Sequence, residues 1–450
     1  MDITKIKEMT TLTEQLYPLD SHISEKGHLV VGGCDTVELA KKYKTPLYLI
    51  DENTFRTKAN QYMTSLKSHY HNFLVLYAAK ALACTSIFNI ANQLGLGIDV
   101  VSGGELYAAL KSRFNKNNIY FHGNNKSEEE IRLAIENNIG RIVCDNFHEL
   151  ELLQKISNNL NKKIDILIRL TPGIECHTHE YIKTGHLESK FGFDLEYFDT
   201  VLSKIKTNCS NLTLKGIHAH IGSQIFELKP FEDAVEILLE YFKLAKENYN
   251  FELSELNIGG GIGISYVTTD DPISINDWAS CISSTIKEKC KKLNLNLPKL
   301  ICEPGRSLIG PSGITLYKIG STKQVPKGKK FIAIDGGMAD NPRPITYQAE
   351  YTAVVANKMN EKPSEVVTIA GRYCETGDLL IKDIKLPPVK SGDIIAVLNT
   401  GAYNYSMSSN YNMVPRPACI LINDGKAEII IERESYDDLI AKQKIPPRLQ

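Results

Sequence analysis

The sequence lacks the features that would direct it to a polyanion or a lipid bilayer. Its 52 Lys and Arg residues balance 53 Asp and Glu residues, giving a formal net charge of -1 and a pI of about 6.8. No excess of basic charge is therefore available to attract nucleic acid or an anionic membrane surface. No apolar run approaches the length of a transmembrane helix. These absences favour a small-molecule ligand, and we expect neither a nucleic-acid nor a membrane partner.

Paired cysteines and a secretion leader are also missing. The ten cysteines are scattered from Cys34 to Cys419 without a C-x-x-C pair, and the first twenty residues are polar and mixed in charge. This usage is typical of reduced thiols, so we expect a cytoplasmic protein whose cysteines are mostly small buried side chains. Cys374 is the exception, because its neighbours in "GRYCETGD" are polar.

Short β-rich runs alternate with amphipathic helical segments from about residue 73 to residue 305. Eight such strand and helix units in this length predict a (β/α)8 barrel of the TIM type. The predicted strands are 73–80, 97–102, 119–123, 141–146, 165–171, 216–222, 255–261 and 299–305.

Polar and special residues follow these strands at their carboxyl ends, where the active sites of such barrels lie. Any one of them could be an ordinary loop residue, but eight in register predict a site. They are Lys80, Ser102, His122, Asp145, Arg169, His220, Gly259–Gly261 and Glu303.

After about residue 310 the sequence changes to short strands and turns, which predicts a second, all-β domain of sandwich or barrel type. We therefore expect a barrel over residues 46–309 and a β domain over 310–450, to which residues 1–45 contribute.

Lys80 interrupts the apolar stretch "VLYAAKAL". A buried ammonium is costly unless it is paired or used. Two interpretations remain open at this point, a structural ion pair with a carboxylate and an amine held for Schiff-base chemistry.

Two further motifs indicate a phosphorylated ligand. "NIGGGIG" places three glycines directly after a strand, where exposed backbone N–H groups can approach a phosphate. "CEPGRSL" places Glu303 and Arg306 on either side of a tight turn. A ligand with a basic ring nitrogen and a monophosphate would use both charges.

The motif "GIHAHIGSQ" carries two histidines on one face of a strand, His218 and His220. A zinc site, helped by "HTHE" at 177–180, is an alternative, but no further ligand stands at a suitable spacing. We therefore predict no metal. An imidazole can instead lie against an aromatic ring, with Ser223 donating to a phosphate.

Taken together, the ordered motifs resemble the fold-type III decarboxylases that use pyridoxal phosphate, and within them the diaminopimelate decarboxylases. The resemblance runs nearly end to end, through "YAAKA", "DVVSGGEL", "HTHEYIKTG", "HAHIGSQ", "NIGGGIG", "EPGRSL", "NPRPITY", "CETGD" and "GAYNYSMSSNYN". It implies decarboxylation of meso-2,6-diaminopimelate to L-lysine and CO2, the last step of lysine biosynthesis.

The resemblance also implies roles for individual residues. Lys80 would hold pyridoxal phosphate as a Schiff base, Glu303 would keep the pyridine nitrogen protonated, and His220 would stack on the ring. Cys374 would be the proton donor, reaching the site of a neighbouring subunit, which implies a homodimer with shared active sites. The phosphate would be held by Ser223, Gly259, Gly260, Gly261, Arg306 and Tyr403.

The distal end of diaminopimelate carries a carboxylate and an ammonium, so a selective pocket needs both a cation and an anion. The matching motifs supply Arg306, Arg343 and Tyr347 for the carboxylate and Glu375 for the ammonium, and Tyr403 is a further substrate-binding residue. The sequence departs from the family pattern at Cys419, where an acidic residue is usual, and this departure bears on the dimer edge or the surroundings of the pocket.

Three alternatives remain. A related decarboxylase acting on carboxynorspermidine, a D-amino acid or another amino acid would differ around Arg343 and Glu375. A non-catalytic regulatory homologue should have lost Lys80 or Cys374. An amino acid racemase usually places an arginine beside the pyridine nitrogen, where this sequence has Glu303.

Overall fold

The computed structural model describes residue 12 and residues 15–174 and 189–450. By its internal contacts the chain divides into two compact units. The barrel unit comprises residues 56–264 and 271–308, and the second unit comprises residues 1–55, 265–270 and 309–450.

The N-terminal part of the second unit begins with a three-stranded antiparallel sheet and a helix capped by the Asp35 side chain. A longer, fully buried strand follows. These elements are β1 (His22–Ile23), β2 (Leu29–Val31), β3 (Cys34–Asp35), α1 (Thr36–Tyr43) and β4 (Leu47–Asp51).

The barrel unit contains eight parallel strands, among its described residues, that pair in sequence order and close on themselves. All eight predicted strands are confirmed. They are β5 (Phe73–Ala78), β6 (Gly97–Val100), β7 (Ile119–Phe121), β8 (Arg141–Cys144), β9 (Ile164–Thr171), β11 (Leu212–His218), β12 (Glu255–Asn257) and β13 (Lys299–Cys302); β10 (Phe193–Asp194) adds a short parallel pairing to β9.

Amphipathic helices alternate with these strands and present their apolar faces to the barrel. Their ends follow ordinary capping rules: Ser127 and Glu130 form a capping box, and Asn250 closes a long helix in the left-handed conformation. The helices are α2 (Glu52–His69), α3 (Thr85–Gln93), α4 (Gly103–Lys111), α5 (Glu128–Glu136), α6 (Phe147–Leu160), α7 (Phe198–Asn208), α8 (Lys229–Tyr249), α9 (Ile275–Leu293) and α10 (Arg306–Ile309).

The barrel interior is a packed core and not a channel. A cluster inside it consists of Leu74, Leu76, Tyr120, Val143, Leu167 and Ile301, each at most 9% exposed. Burial of such side chains stabilises the fold by about 1.5–3 kcal/mol each. The interior is therefore rigid enough to fix the loops at the carboxyl ends of the strands.

The rest of the second unit is mostly sheet, as predicted, in the strand order β18-β17-β15-β14-β4-β20-β21, with β19 pairing to β14 and β16. The elements are β14 (Gly313–Gln324), β15 (Lys330–Ile334), α11 (Arg343–Tyr347), β16 (Ala353–Val355), β17 (Glu365–Ala370), β18 (Leu379–Leu386), β19 (Ile394–Val397), β20 (Ala418–Asn423), β21 (Lys426–Ile431) and α12 (Tyr436–Ile440).

The predicted barrel boundary at residue 46 differs from this division. β4 pairs antiparallel with β14 and parallel with β20, so it belongs to the second unit's sheet. Residues 265–270 also belong to that unit. No local sequence pattern shows that either segment belongs to the second unit, because this assignment depends on contacts with residues that are distant in sequence.

Among the described residues, the cysteines are free of disulfides, and Cys374 is the exposed one. No helix in that part of the chain is both long enough and apolar enough to cross a bilayer.

Candidate active site

A cavity of about 300 Å³ lies at the carboxyl ends of the barrel strands. This is the end at which sequence reasoning expected the site. The polar side chains lining it include Lys80, Asp99, His122, Arg169, His218, His220 and Glu303.

Lys80 enters the cavity because its strand ends just before it. β5 stops at Ala78, and Ala79–Ala81 form a single 3-10 turn. The Ala78 N–H donates to the carbonyl of Pro304 at 3.2 Å. A Cβ on Gly305 would lie 3.0 Å from the Cβ of Ala78, so a larger residue there would push the two loops apart. The lysine turn and the loop that carries Glu303 are thus held side by side.

Glu303 is 7% exposed and has three close partners. Asn257 Nδ2 donates to Oε1 at 2.6 Å, and His218 Nε2 lies 3.3 Å from Oε2. His122 Nε2 lies 2.8 Å from Oε1. This ring of partners fixes the carboxylate in one position.

The same partners determine its protonation. Burial alone would raise the pKa of Glu303, but the nearby His122 and His218 outweigh burial and hold the pKa well below its usual range. Burial lowers the pKa of His218 to about 3, so this imidazole is neutral and donates a hydrogen bond. Glu303 is therefore a buried anion, suited to face a protonated nitrogen.

Asn257 was not identified from the sequence. It is fully buried at the end of β12, and besides donating to Glu303 it accepts the Gly259 N–H at Oδ1, at 3.0 Å. One side chain therefore ties the carboxylate to the glycine run. An asparagine at a strand end, two residues before the glycine run, is the signal that could have revealed it.

The glycine run packs against the loop that follows β11. Gly259 has φ of +66°, and a Cβ there would lie 2.8 Å from His220 Nδ1. A Cβ on Gly260 would lie 2.3 Å from the Glu303 carbonyl. The Gly260 N–H donates to His220 Nδ1 at 3.3 Å, which fixes the imidazole against the glycines. Glycine is required here by close approach of neighbouring backbone and imidazole.

His220 itself is neutral. Burial, followed by the positive charges of Lys80 and Arg169, lowers its pKa well below the usual range. An uncharged imidazole can lie flat against an aromatic ring without a desolvation cost for charge.

Ser223 and Arg306 are brought together. Arg306 Nη2 donates to Ser223 Oγ at 2.8 Å and its Nε does so at 3.3 Å. Arg306 is 5% exposed. A hydroxyl beside a buried guanidinium is a suitable pair for an anionic group such as a phosphate.

The cavity fits a polar ligand. Three of its lining side chains have a buried polar atom that no described residue hydrogen-bonds: Asp99 Oδ1, His122 Nε2 and His218 Nδ1. His122 Nε2 lies 2.8 Å from Glu303 Oε1 but outside ordinary hydrogen-bonding geometry. Such groups are rare in protein interiors unless a ligand or water satisfies them.

Asp99 was also missed, although it is a carboxylate within the apolar strand "GIDVV". Burial raises its pKa, while His122 and Lys80 oppose that change. His122 Nε2 lies 3.7 Å from Asp99 Oδ1. Asp99 therefore supplies a second carboxyl group behind the Glu303 network.

The structure brings together a different set of possible zinc ligands from the set expected from the sequence. His122, His218 and Glu303 bring their ligand atoms within 4.8 Å of one another, whereas His220 is bound to the glycine run. The "HTHE" motif at 177–180 lies outside the described residues.

The remaining predicted residues belong to the second unit. Arg343 is 5% exposed and packs against two tyrosine rings that contact each other edge to face, 4.8 Å from the centroid of Tyr266 and 5.5 Å from that of Tyr351. Its Nη1 donates to the Tyr351 hydroxyl at 2.5 Å. These contacts hold the guanidinium in place, and its other N–H groups can serve a carboxylate.

Cys374 and Glu375 lie on an exposed turn held by a buried carboxylate. Asp378 accepts the N–H groups of Met338 at 2.7 Å and Tyr373 at 2.9 Å. The Cys374 N–H donates to Asn412 Oδ1 at 3.0 Å. The turn is thus rigid while its thiol and carboxylate face solvent.

Tyr347 is half-buried on the same short helix as Arg343, and Tyr403 is half-buried with φ of +62°. Cys419 is fully buried on β20, where it pairs in register with Tyr48 of β4. A carboxylate would be costly at this buried position. The binding roles assigned to these residues remain predictions.

Replacing Asn257 tests the link between Glu303 and the glycine run. We expect Asn257→Ala to weaken cofactor binding by about tenfold, since each buried hydrogen bond to a charged group contributes roughly 1.5–3 kcal/mol. We expect Asn257→Asp to be worse, because it places a second carboxylate beside Glu303. Equilibrium dialysis and the pH titration of cofactor absorbance measure both effects. Wild-type affinity in both variants would contradict the predicted role, provided their melting temperatures are unchanged.

Comparison with known proteins places these features in a family. Residues 53–310 match the model of the pyridoxal-dependent decarboxylase family, pyridoxal binding domain. The chain is 48% identical to a diaminopimelate decarboxylase of Synechocystis sp., over 97% of this chain and 94% of that protein. It is 44% identical to that of Bacillus subtilis, over 93% of this chain and 96% of that protein.

Comparison with solved structures indicates the same family. A diaminopimelate decarboxylase of M. jannaschii in complex with L-lysine superimposes with a TM-score of 0.90 at 36% identity, covering 96% of this chain and 99% of that one. The chain therefore belongs to the pyridoxal-dependent decarboxylases and, within them, to the diaminopimelate decarboxylase family.

Proposed function

We propose that this enzyme decarboxylates meso-2,6-diaminopimelate to L-lysine and CO2 with pyridoxal 5'-phosphate as cofactor, as the last step of lysine biosynthesis. The observation that carries the proposal is the cavity in which Lys80 and an ionised Glu303 face the same space. Family membership and the lysine complex of the M. jannaschii relative support the substrate.

The barrel residues would hold the cofactor. Lys80 would carry it covalently, Glu303 would face its pyridine nitrogen, and His220 would lie against its ring. Bound in this way, pyridoxal phosphate supplies a cationic ring that accepts the electron pair left when CO2 departs. The phosphate would be held by the Ser223 and Arg306 pair, by close approach to the backbone of Gly259, Gly260 and Gly261, and by Tyr403.

Glu303 acts by staying deprotonated. Asn257 and His218 hydrogen-bond its oxygens, so it stays an anion at neutral pH and keeps a proton on the nitrogen it faces. An arginine in this place, as racemases use, would have the opposite effect. This favours decarboxylation over racemisation.

Lys80 and Cys374 would move protons. The Lys80 Nζ, once released by exchange with the substrate amine, is a base within the cavity. The Cys374 Sγ would return a proton to the carbon that has lost CO2. Its exposure on a rigid turn suits a donor that serves the barrel of a second copy, and we therefore propose a homodimer with shared active sites.

The distal end of the substrate would be read by Arg343, Arg306 and Tyr347 at the carboxylate and by Glu375 at the ammonium. A substrate without a distal carboxylate leaves the buried Arg343 unpaired, which is costly. This argues against lysine, ornithine and arginine as substrates. We also propose that the enzyme works in the cytoplasm, where its thiols stay reduced.

The decisive experiment measures lysine and CO2 release from meso-diaminopimelate, with pyridoxal phosphate present and withheld. We expect stoichiometric, cofactor-dependent release. A parallel panel of carboxynorspermidine, D-lysine, ornithine and arginine tests the related decarboxylases. If the cofactor binds but neither diaminopimelate nor any compound of the panel is turned over, the catalytic proposal fails and the result favours a regulatory homologue.

Arg343→Lys should raise KM for diaminopimelate by about tenfold to a hundredfold, because a lysine loses the guanidinium's contacts with the Tyr266 and Tyr351 rings and cannot bind a carboxylate in a bidentate manner. The Arg433→Lys variant is a matched control, since Arg433 donates to the carbonyls of Lys44 and Pro46 in the same unit. Steady-state kinetics on both variants make the comparison. If KM rose equally in both variants, Arg343 would affect KM only through the stability of the protein and not through contact with the substrate.

A further inference from the structure

A second cavity, of about 440 Å³, lies at the opposite end of the barrel. It is bounded by residues at the amino ends of β7, β8, β9 and β13. The residues that matter are Asn118, Asn138, Arg141, Lys163, Asp165 and Lys299.

The lining of this cavity is cationic. Arg141 and Lys299 are the first residues of their strands, and Lys163 directly precedes β9. Asp165 is the sole carboxylate in the described lining. Two further lysines stand at the rim, since Lys162 donates to Asn138 Oδ1 at 2.8 Å and Lys116 donates to Asn137 Oδ1 at 3.3 Å.

The nearby carboxylates are already engaged. Glu255 binds Arg141 through two hydrogen bonds, at 2.9 and 2.7 Å, and Asp165 contacts both Arg141, at 3.1 Å, and Lys215, at 3.6 Å. They therefore have little capacity left to neutralise further cations at the cavity.

Lys163 and Lys299 have no ion pair and no side-chain hydrogen bond to any described residue. Lys163 is exposed, whereas Lys299 is half-buried. Burial lowers the pKa of Lys299, whereas Glu255, its partner in strand register, opposes that change. Because Glu255 is already hydrogen-bonded to Arg141, an anion that entered the cavity would complement the half-buried ammonium.

We propose that this cavity binds a small polyvalent oxyanion between Lys163 and Lys299, beside the Arg141 guanidinium. Its volume lies in the range of small-molecule sites, so the ligand is larger than a chloride ion. Lysine ammonium groups suit multiply charged oxygens, and the asparagine amides at the wall can donate further hydrogen bonds.

This site is separate from the catalytic cavity. The predicted catalytic side chains follow the carboxyl ends of the strands, whereas these cations stand at the amino ends. A strand of three to eight residues at about 3.3 Å per residue separates the two ends by roughly 10–26 Å. Occupation of one site therefore does not require occupation of the other.

The test uses cofactor-saturated protein, so that the cofactor's own phosphate site is filled, and inorganic pyrophosphate as the probe. Isothermal titration calorimetry and thermal unfolding measure its binding. We expect pyrophosphate to raise the melting temperature of the wild type, and we expect Lys163→Gln/Lys299→Gln to bind it at least about tenfold more weakly. Added sodium chloride should weaken binding in the wild type.

The matched control is Lys204→Gln/Lys289→Gln, which removes the same charge from lysines already paired with Glu151 and Glu240. It should bind pyrophosphate as the wild type does. If the half-buried position prevents folding of the double variant, the exposed Lys163→Gln variant alone still tests the site. Citrate as a second probe separates a phosphate-specific site from one for any polyvalent oxyanion. No binding to the wild type, or equal affinity in Lys163→Gln/Lys299→Gln and wild type, overturns the proposal.

Discussion

Lys80→Ala is expected to lose the visible absorbance of the bound cofactor on dialysis and to lose turnover by a factor on the order of ten thousand. The physical reason is that the amine is both the covalent anchor for the cofactor and a base in the cavity. Absorbance spectra after dialysis and lysine release from diaminopimelate measure the two effects separately.

Lys80→Arg distinguishes this role from a structural ion pair. Arginine keeps a positive charge facing Asp99 and His220, but its guanidinium stays protonated and is not a nucleophile. If Lys80 were only a counter-ion, the arginine variant would keep the cofactor and much of the activity. We expect it to be as inactive as the alanine variant, with a melting temperature nearer to that of the wild type.

Glu303→Gln is expected to lower kcat by about a thousandfold, which corresponds to roughly 4 kcal/mol of transition-state stabilisation. A neutral amide cannot hold a proton on the nitrogen it faces, so the ring no longer accepts electrons well. The measurements are kcat and the pH titration of cofactor absorbance, which should show the nitrogen proton leaving at a lower pH than in the wild type.

Glu303→Asp keeps the charge and shortens the side chain by one methylene, so it should recover part of the lost rate. A glutamine variant that binds cofactor and keeps more than about a tenth of the wild-type kcat would contradict the role assigned to Glu303. Thermal unfolding of both variants is the control, since His122, His218 and Asn257 lose a partner in each.

The barrel was predictable because its strands are local apolar runs with polar residues at their ends. The residues at which the strands end were harder to predict. β5 was predicted to reach Lys80, but it ends at Ala78 because the next residues form a turn. β18 was not predicted, since its buried and exposed residues do not alternate regularly. The sheet to which β4 belongs depends on partners far along the chain.

Within the site, the sequence indicated the residues whose chemistry is unusual for their position, such as Lys80 and Glu303. It did not indicate Asn257 and Asp99, which matter through contacts. Asn257 joins Glu303 to Gly259 across different loops. Hydrogen bonds of this kind depend on three-dimensional distances that no spacing rule supplies.

The position of β4 has a consequence for synthesis on the ribosome. This strand is among the first made, yet its sheet neighbours are β14 and β20, and β20 comes close to the end of the chain. The residues of the barrel unit are complete by Leu308, before either neighbour has been made. A nascent chain thus carries an unpaired apolar strand while the barrel assembles, and a chain truncated before Ala418 leaves the edge of β4 that pairs with β20 uncovered. Such an edge invites aggregation, so late truncations should be lost to insolubility, although the barrel residues are intact.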